Sequence, residues 1–313
     1  MDAILTELLE RFRRGERRAL ARLLSLAARG ECLGNILRAL RATPAASKKN
    51  CLVAALTGSA GVGKSTLVGR LIEYLRKEKK TVAVLACDPQ SPLTGGALLG
   101  DRFRMPGEPD DGVFIRSVAS AGGHGAVAEH VAAMIALLEH YGFDVVLIET
   151  VGAGQGDTAV RQLADVVVLL LQPETGDDLQ WEKAGVLEVS DVIVIHKADL
   201  PGADNVEAQV RAMLDLSPVR QVPVVRVSAK NRSGLAELWQ AVEQAARDSQ
   251  RHTEPARELL DQVLHLLSSR FEHADAGALQ PLVAAWQRGE MDDATATRQL
   301  VELLVRDAKP PAS

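Results

Sequence analysis

Apolar side chains follow a helical period through the first forty residues of the chain. In residues 2–42 they recur about three or four positions apart: Ile4, Leu5, Leu8 and Phe12, then, after Gly15, Leu20, Leu23, Leu24 and Ala27. This spacing places them along one face of an α-helix. The segment TPAASKKN at residues 43–50 is polar and small, which is typical of a linker. The pattern predicts a helical N-terminal extension, which we assign to residues 1–48.

From residue 51 the pattern changes to short apolar runs separated by segments of helical periodicity. Seven runs are predicted as strands: 52–57, 82–87, 113–116, 145–149, 166–171, 192–195 and 222–227. Helices are predicted between them at 64–79, 125–140, 205–214 and 234–247. Several strands are almost wholly apolar, as strands buried on both faces of a parallel sheet are. The alternation predicts an α/β fold with a mostly parallel, doubly wound sheet, which we assign to residues 49–250.

After residue 252 the strand signals end and helical periodicity returns. Two apolar stripes are present on either side of a polar break at residues 289–293: Leu259, Leu260, Val263, Leu266 and Leu267, then Leu300, Leu303 and Leu304. Each stripe has to be buried, either against a second copy of the chain or against the parent domain. We assign residues 251–313 to a C-terminal helical arm and expect it to mediate homodimerisation.

Composition and charge narrow the class of protein. With 47% hydrophobic and 25% charged residues the chain has a globular composition, and its net charge of −5 gives no reason to expect nucleic acid as a partner. The three scattered cysteines, the missing signal-peptide pattern and the lack of long apolar runs favour the cytoplasm, without a membrane. A local cluster of arginines indicates either a solvated helix face or a docking surface for an acidic partner. Its members are Arg11, Arg13, Arg14, Arg17, Arg18 and Arg22.

A glycine-rich stretch follows the first predicted strand and opens the next predicted helix. It fits the pattern GxxxxGK[ST], in which glycines let backbone N–H groups surround phosphate oxygens and the helix N-terminus adds its positive dipole. We expect Lys64 to reach the β- and γ-phosphates and the Ser65 hydroxyl to bind Mg²⁺. The predicted nucleotide-binding residues here are Gly58, Ser59, Ala60, Gly61, Val62, Gly63, Lys64, Ser65 and Thr66.

Two acidic residues stand at the ends of other predicted strands. Asp88 follows the run TVAVLAC and Glu149 ends the run DVVLIE. Because the carboxyl ends of parallel strands face the ligand crevice, either carboxylate can hold Mg²⁺ or its water ligands. Asp88, which precedes a proline, is equally compatible with a plain turn. The loop after Glu149 contains Gly152, whose backbone N–H we expect to contact the γ-phosphate.

The sequence His196-Lys197-Ala198-Asp199 follows another strand, where GTPases carry Asn/Thr-Lys-x-Asp. The carboxylate of Asp199 can accept hydrogen bonds from guanine N1–H and the 2-amino group, which adenine lacks. Lys197 would lay its stem along the base. Ser228, Ala229 and Lys230 resemble the second guanine-contacting loop. Since His196 replaces the usual Asn or Thr, either its ring nitrogen makes the usual hydrogen bond or base affinity and specificity are weaker.

Longer stretches give the chain a recognisable resemblance. TGSAGVGKST, VLACDPQSPLTGGALLGDRFRM, DVVLIETVGAGQGD, LLLQPETGDDLQWEKAG and HKADL resemble the MeaB/ArgK family, the GTPase chaperones of adenosylcobalamin-dependent acyl-CoA mutases. The resemblance runs from the N-terminal helices to the C-terminal arm. The second and third stretches are more diagnostic than a phosphate-binding loop alone.

The resemblance implies a magnesium site and a catalytic group. Ser65, Asp88, Asp101 and Glu149 would line the Mg²⁺ region, and Lys64, Glu149 and Asp101 would carry catalysis. The resemblance further implies that GTP or GDP would be the bound nucleotide, and that hydrolysis would be coupled to loading of the mutase with its cofactor and to protection of the mutase.

The resemblance also implies two switch loops and a partner. Residues 152–157, with Gln155, would form the second switch. Residues 173–185, with Asp178 and Lys183, would communicate with the mutase. The segment Pro173-Glu174-Thr175 differs from the family's commoner Pro-Gly-Ala. The partner that the resemblance implies is methylmalonyl-CoA mutase or, given this difference, a related isobutyryl- or 2-hydroxyisobutyryl-CoA mutase.

The sequence thus predicts a homodimeric, Mg²⁺-dependent GTPase acting as a metallochaperone for such a mutase. Three alternatives remain open: a P-loop kinase, a nickel-delivery GTPase, and a scaffold that binds nucleotide without turnover. The Asp of HKAD disfavours ATP as donor. A nickel-delivery protein usually carries His-rich or clustered Cys/His sites, which this sequence lacks.

Overall fold

The computed structural model describes residues 3–42, 51–89, 111–120, 126–150, 163–173, 190–215, 221–248 and 276–306, together with residues 161, 263, 267, 270 and 271. The chain divides into two compact units, Met1–Gln250 and Arg251–Ser313. The first unit contains the sheet and the N-terminal helices, and the second contains helices alone within its described part.

The first unit alternates strands and helices after three N-terminal helices. The elements are α1 (Ala3–Arg13), α2 (Arg17–Ala28), α3 (Leu33–Arg41), β1 (Leu52–Gly58), α4 (Lys64–Lys77), β2 (Val82–Pro89), β3 (Val113–Ser120), α5 (Ala126–Tyr141), β4 (Val145–Glu149), β5 (Val166–Leu171), β6 (Val192–His196), α6 (Ala203–Asp215), β7 (Val224–Val227) and α7 (Leu235–Asp248). The predicted strands and helices are confirmed in number and order over the described part of this unit.

The seven strands form one sheet in the order β3-β2-β4-β1-β5-β6-β7, and every neighbouring pair is parallel. The prediction of a doubly wound parallel sheet is therefore confirmed. Because all strands point the same way, their carboxyl ends meet along a single edge. The glycine-rich loop, Glu149 and His196 all lie at that edge, which gathers the candidate chemistry in one place.

Some element boundaries differ from the predicted ones for identifiable reasons. The last strand was expected from residue 222 but begins at Val224, because Pro223 has no N–H to donate to a neighbouring strand. The helix expected to reach residue 79 ends at Lys77, and Lys79 adopts a left-handed conformation with φ of 60°. The run KEKK carries no glycine or proline that would mark this end.

Alternate residues of the strands enter cores on opposite faces of the sheet, as their period of two requires. In β1, Val53 and Ala55 pack with the N-terminal helices and α5, whereas Ala54 and Leu56 pack with α4 and α7. A third, smaller cluster lies between α6 and the strands β5 and β6. The sheet is thus covered on both faces, and only its edges and loops remain for binding.

An aromatic ladder connects the N-terminal helices to the sheet. The ring of Phe12 lies 5.8 Å from that of Tyr141, Tyr141 lies 5.6 Å from Phe143, and Phe143 lies 6.2 Å from Phe114. The guanidinium of Arg17 lies 5.5 Å from the Phe114 ring centroid. Four of the ten aromatic residues of the chain are therefore concentrated at this junction. The N-terminal helices belong to the same core as the sheet.

We expect Phe143→Ala to lower the free energy of unfolding by about 3 kcal/mol. Phe143 is 4% exposed, and its removal opens a cavity between the two neighbouring rings. Urea denaturation followed by circular dichroism measures this change. Ile4→Ala is the control, since Ile4 is 66% exposed and its loss is expected to cost less than about 0.5 kcal/mol. Equal losses in the two variants would contradict the role of the ladder.

Three strands are each preceded by an aspartate whose carboxylate accepts a backbone hydrogen bond at the edge of the sheet where the strands begin. A carboxylate oxygen of Asp144 accepts the Thr81 N–H at 2.7 Å, Asp165 accepts the Val53 N–H at 2.7 Å, and Asp191 accepts the Val167 N–H at 2.8 Å. Each bond joins the start of a strand to its neighbour and satisfies a backbone donor that the ladder leaves open. The sequence signal is an Asp directly before an apolar run.

In the second unit the described helices are α8 (Ala276–Gln287) and α9 (Asp293–Arg306). They are separated at Gly289, which has a φ of 74°, and the side chain of Asp292 accepts the Thr295 N–H at 2.7 Å as α9 begins. The predicted break at residues 289–293 is confirmed. Most of the predicted stripe at residues 259–267 lies outside the described residues. Among the described residues, no helix is both long and apolar enough to span a bilayer.

Candidate nucleotide-binding site

The glycine-rich loop connects β1 to α4 at the middle of the sheet, as its sequence context predicts. Two of its glycines are required by their surroundings. A Cβ on Gly58 would lie 2.5 Å from the Leu170 carbonyl oxygen, and one on Gly63 would lie 2.6 Å from the His196 ring. Both also have positive φ values, 147° and 99°, which side chains disfavour. The loop is therefore held against β5 and β6 in a conformation that aims the N-terminus of α4 at the crevice.

Lys64 is the cation of this loop. Its side chain is buried, and Nζ donates hydrogen bonds to the carbonyl oxygens of Gly58 at 2.8 Å and Ser59 at 3.2 Å. The ammonium group thus lies over the loop and adds its charge to the positive end of the α4 dipole. This is a site for the phosphate groups of a nucleotide. Thr66 lies exposed in the first turn of the same helix.

Ser65 and Glu149 come together across neighbouring strands. The Ser65 hydroxyl donates to Oε1 of Glu149 at 2.5 Å. The parallel pairing of β1 with β4, in which Leu56 is opposite Glu149, brings the carboxylate beside the start of α4. A hydroxyl and a largely buried carboxylate are hard oxygen ligands of the kind that Mg²⁺ prefers. The donor set that the structure brings together therefore fits a magnesium ion.

A buried pair of threonines lies beneath these residues and escaped the sequence analysis. The Thr150 hydroxyl donates to the Thr57 hydroxyl oxygen at 3.1 Å, and the Thr150 N–H donates to the Leu56 carbonyl at 3.1 Å. These bonds join the end of β1, just before the glycine-rich loop, to the residue that follows β4. The signal in the sequence is a threonine at each apolar strand end, which becomes informative only when the strands are known to be neighbours.

His196 connects the base motif to the glycine-rich loop. Its Nδ1–H donates to the Val62 carbonyl at 2.7 Å, and the ring, 3% exposed, packs against Gly63. A ring nitrogen of His196 thus makes a hydrogen bond to the glycine-rich loop, and the effect of this residue on base affinity and specificity stays a prediction. Burial lowers the pKa of His196 below its usual value, opposed by the bond to Val62. The ring is therefore neutral at physiological pH.

We expect His196 to make folding stability depend on pH. Its folded pKa lies below the unfolded value of about 6.5, so the unfolded chain binds the proton first and the free energy of unfolding falls as pH falls through that range. When the pH is lowered from 7.5 to 5.5, the free energy of unfolding measured by urea denaturation should fall by about 1 kcal/mol more in wild type than in His196→Asn, which lacks the titrating ring. The other six histidines are common to both proteins. An equal fall in the free energy of unfolding in both proteins would show that the pKa of His196 is the same in the folded and unfolded chain.

Asp199 lies in a second group of polar residues at the ends of β6 and β7. Its Oδ1 accepts the Ser228 hydroxyl at 2.5 Å, and Nζ of Lys230 lies 3.9 Å from its Oδ2. The hydrogen bond from Ser228 lowers the pKa of Asp199, so the carboxylate stays ionised. The Ala198 N–H donates to the Val227 carbonyl, which joins the two loops. Lys197, between them, has a φ of 55° and is partly exposed.

The structure thus brings the predicted residues together in two adjacent groups. One contains Lys64, Ser65 and Glu149, and the other contains Asp199 and the loop that follows β7. Strand β2 carries the backbone of Asp88 to the same edge, two positions beyond the pairing of Ala86 with Glu149. The remaining predicted residues lie outside the described part of the chain: Asp101, Gly152, Gln155, Asp178 and Lys183, as does the side chain of Asp88.

Comparison with known proteins assigns the chain to a family. A family model described as methylmalonyl Co-A mutase-associated GTPase MeaB matches residues 20–273. The chain belongs to the MeaB family. Among its relatives, a protein of Pyrococcus abyssi is 42% identical over 249 residues, which cover 77% of this chain and 76% of that protein. The GTPase ArgK of Escherichia coli is 36% identical over 254 residues, covering 77% and 76%.

A solved structure supports the same assignment. The crystal structure of the LAO/AO transport system kinase is 27% identical to this MeaB-family chain, with a TM-score of 0.66, and the match covers 97% of this chain and 98% of the other. Family and fold together make the chain a P-loop GTPase that hydrolyses GTP. The predicted resemblance to the MeaB/ArgK family is confirmed.

Proposed function

We propose that this MeaB-family GTPase is a Mg²⁺-dependent chaperone of an adenosylcobalamin-dependent acyl-CoA mutase. The description of its family names methylmalonyl-CoA mutase as the associated enzyme. The partner is that mutase or a related isobutyryl- or 2-hydroxyisobutyryl-CoA mutase. GTP hydrolysis is coupled to loading of the cofactor and to protection of the mutase.

The observation that carries the hydrolytic part of the proposal is the meeting of Lys64, Ser65 and Glu149 at the N-terminus of α4. Lys64 binds the β- and γ-phosphates and stabilises the charge that develops between them. Ser65 and Glu149, with Asp88 and Asp101, would hold Mg²⁺, which would neutralise charge on the phosphate oxygens. Through this ion Glu149 and Asp101 would also contribute to catalysis.

Base selection is assigned to the second group of residues. The ionised carboxylate of Asp199 accepts hydrogen bonds from guanine N1–H and the 2-amino group, and the hydroxyl of Ser228 holds its orientation. His196 keeps the motif against the glycine-rich loop, Lys197 lies along the base, and the backbone of the loop at Ala229 completes the contact. Lys230 adds positive charge beside the carboxylate.

Two loops transmit the state of the nucleotide. The backbone N–H of Gly152 contacts the γ-phosphate, and Gln155 responds to that contact in the second switch. Asp178 and Lys183 belong to the loop that contacts the mutase. Hydrolysis would release the first loop and thereby change the second.

Phosphate release, measured with the purified chain and each candidate mutase, tests the proposal. We expect turnover to rise with the cognate mutase, and transfer of adenosylcobalamin to that mutase to require hydrolysable GTP. The matched control replaces GTP with a non-hydrolysable analogue. If none of the three mutases raises turnover or receives cofactor in a GTP-dependent manner, the chaperone function is wrong.

The C-terminal unit supports the homodimer that we propose. Six of its described side chains are large, apolar and exposed: Val263, Phe271, Val283, Trp286, Val301 and Val305. An apolar surface of this kind is typical of a contact between subunits. Light scattering coupled to gel filtration should give twice the chain mass of 33.5 kDa. A mass equal to one chain would exclude the dimer.

A kinase is the second candidate, because a solved structure that resembles this chain is that of the LAO/AO transport system kinase. Such an enzyme would transfer the γ-phosphate to an acceptor other than water. The carboxylate of Asp199 disfavours ATP as its donor, since adenine offers no N1–H. Competition of ATP and GTP for the site decides between the two functions, and a preference for ATP would favour the kinase.

A further inference from the structure

A second long-range hydrogen bond joins the phosphate-binding element to the base loops. Arg70 lies on α4, in the second turn after Lys64, and its Nε–H donates to the carbonyl oxygen of Ala229 at 3.1 Å. The two residues are 159 positions apart in the sequence. His196 makes the reverse connection, from a base loop to the Val62 carbonyl. Two hydrogen bonds, one donated from each element, therefore join the phosphate-binding element to the base loops.

The guanidinium of Arg70 is held in the orientation that this bond needs. One of its terminal nitrogens donates to both carboxylate oxygens of Glu73, at 2.9 and 3.1 Å. Both side chains are mostly covered, with 22% and 29% exposed. The carboxylate fixes the plane of the guanidinium, and Nε–H then points in one direction. Arg232, from the loop after β7, also reaches Glu73 at 3.6 Å.

The carbonyl that Arg70 holds is next to the residue that orients the base-binding carboxylate. Ser228 precedes Ala229 and donates its hydroxyl to Asp199 at 2.5 Å. The Asn231 N–H donates to the same Ser228 oxygen at 3.1 Å, which closes the loop on itself. A displacement of Ala229 would therefore move Ser228 and leave Asp199 without its hydroxyl donor.

We propose that Arg70 is a positioning residue for guanine recognition. It acts through its contacts to Ala229 and Glu73. By holding the Ala229 carbonyl it keeps the second base loop at a fixed distance from the helix that begins at Lys64, and so sets how long a guanine nucleotide stays bound. The inference rests on the proposed role of Asp199 as the base-binding carboxylate.

The test compares Arg70→Met with Lys77→Met, a matched control on the same helix, where the side chain is exposed. Two probes are used: fluorescently labelled GDP, and inorganic tripolyphosphate, which has phosphates but no base. Loss of a charge-assisted bond should speed GDP dissociation about tenfold in Arg70→Met. Tripolyphosphate affinity and kcat should stay within about twofold of wild type, while KM for GTP rises about tenfold.

Two conservative variants test which property of the Arg70 side chain sets the rate of GDP dissociation. Arg70→Lys keeps the charge, but a single ammonium cannot replace the planar fork that serves Ala229 and Glu73 together. Its GDP dissociation rate should lie between those of wild type and Arg70→Met. Glu73→Gln removes the charge that orients the guanidinium and should speed GDP dissociation by about threefold.

Three outcomes would overturn the inference. Arg70→Met that behaves like Lys77→Met would show that the bond does not affect binding. Equal weakening of GDP and tripolyphosphate would show that Arg70 supports the phosphate site rather than the base loop. If Asp199→Asn leaves selection for guanine unchanged, the base loop itself is misassigned and the role of Arg70 fails with it. Only this last result also refutes the proposed base contact, so the two failures are distinguishable.

Discussion

Lys64→Ala is expected to lower kcat for GTP hydrolysis by about 10³-fold. The ammonium group is the one side-chain cation that the described residues place over the glycine-rich loop, within hydrogen-bond distance of Gly58 and Ser59. In this buried position it acts at low dielectric, where loss of a preorganised positive charge is most costly to the transition state. Phosphate release at saturating GTP measures the loss.

The control for this variant is Lys77→Ala. Lys77 is an exposed cation at the end of the same helix, so its removal should leave kcat within about twofold of wild type. Urea denaturation of both variants checks that each is folded under the assay conditions. If Lys64→Ala kept turnover within tenfold of wild type, the assignment of this lysine to catalysis would be wrong.

Asp199→Asn is expected to change the base that the enzyme selects. An amide offers one acceptor and one donor where the carboxylate offers two acceptors, so it matches xanthine, which carries N1–H and a 2-carbonyl. The amide oxygen can still accept the Ser228 hydroxyl, which preserves the orientation seen for the carboxylate. The ratio of kcat/KM for GTP over XTP should fall by about 10⁴-fold.

Asp204→Asn provides the matched control, because Asp204 is an 83% exposed aspartate five positions away that pairs with Arg226 at the surface. Its GTP-to-XTP ratio should equal that of wild type. An unchanged ratio in Asp199→Asn would mean that another residue reads the base, and the assignment of HKAD as the base motif would have to be abandoned.

Much of the fold could be predicted because its signals are local. The strands β4 and β5 have the bounds that their apolar runs predicted, since every residue in each run is buried. The glycine-rich loop was predicted from the local sequence, because a phosphate-binding loop needs its glycines, lysine and serine at fixed spacings between a strand and a helix. Boundaries without a local signal were less well predicted, as at Lys79, where the chain turns without a glycine.

The cross-links of the site could not be predicted in the same way. His196 and Val62 are 134 positions apart, and Arg70 and Ala229 are 159 apart. Each bond depends on which strands are neighbours and on how α4 packs over them. Neither the strand order nor the helix packing can be predicted from the residues next to the bonded ones in the sequence. The same holds for Thr57 and Thr150, which meet only because β1 and β4 are adjacent.

The sequence by itself therefore determined that the chain is a phosphate-binding α/β protein of the MeaB/ArgK type, and it predicted a guanine motif at His196–Asp199. These properties depend on residue types at short, fixed spacings. The tertiary structure decided how the parts are held: the Ser65–Glu149 contact, the buried neutral ring of His196, and the Arg70 bond that joins the helix after the loop to Ala229. Such contacts are set by strand order and helix packing, and those are properties of the whole chain.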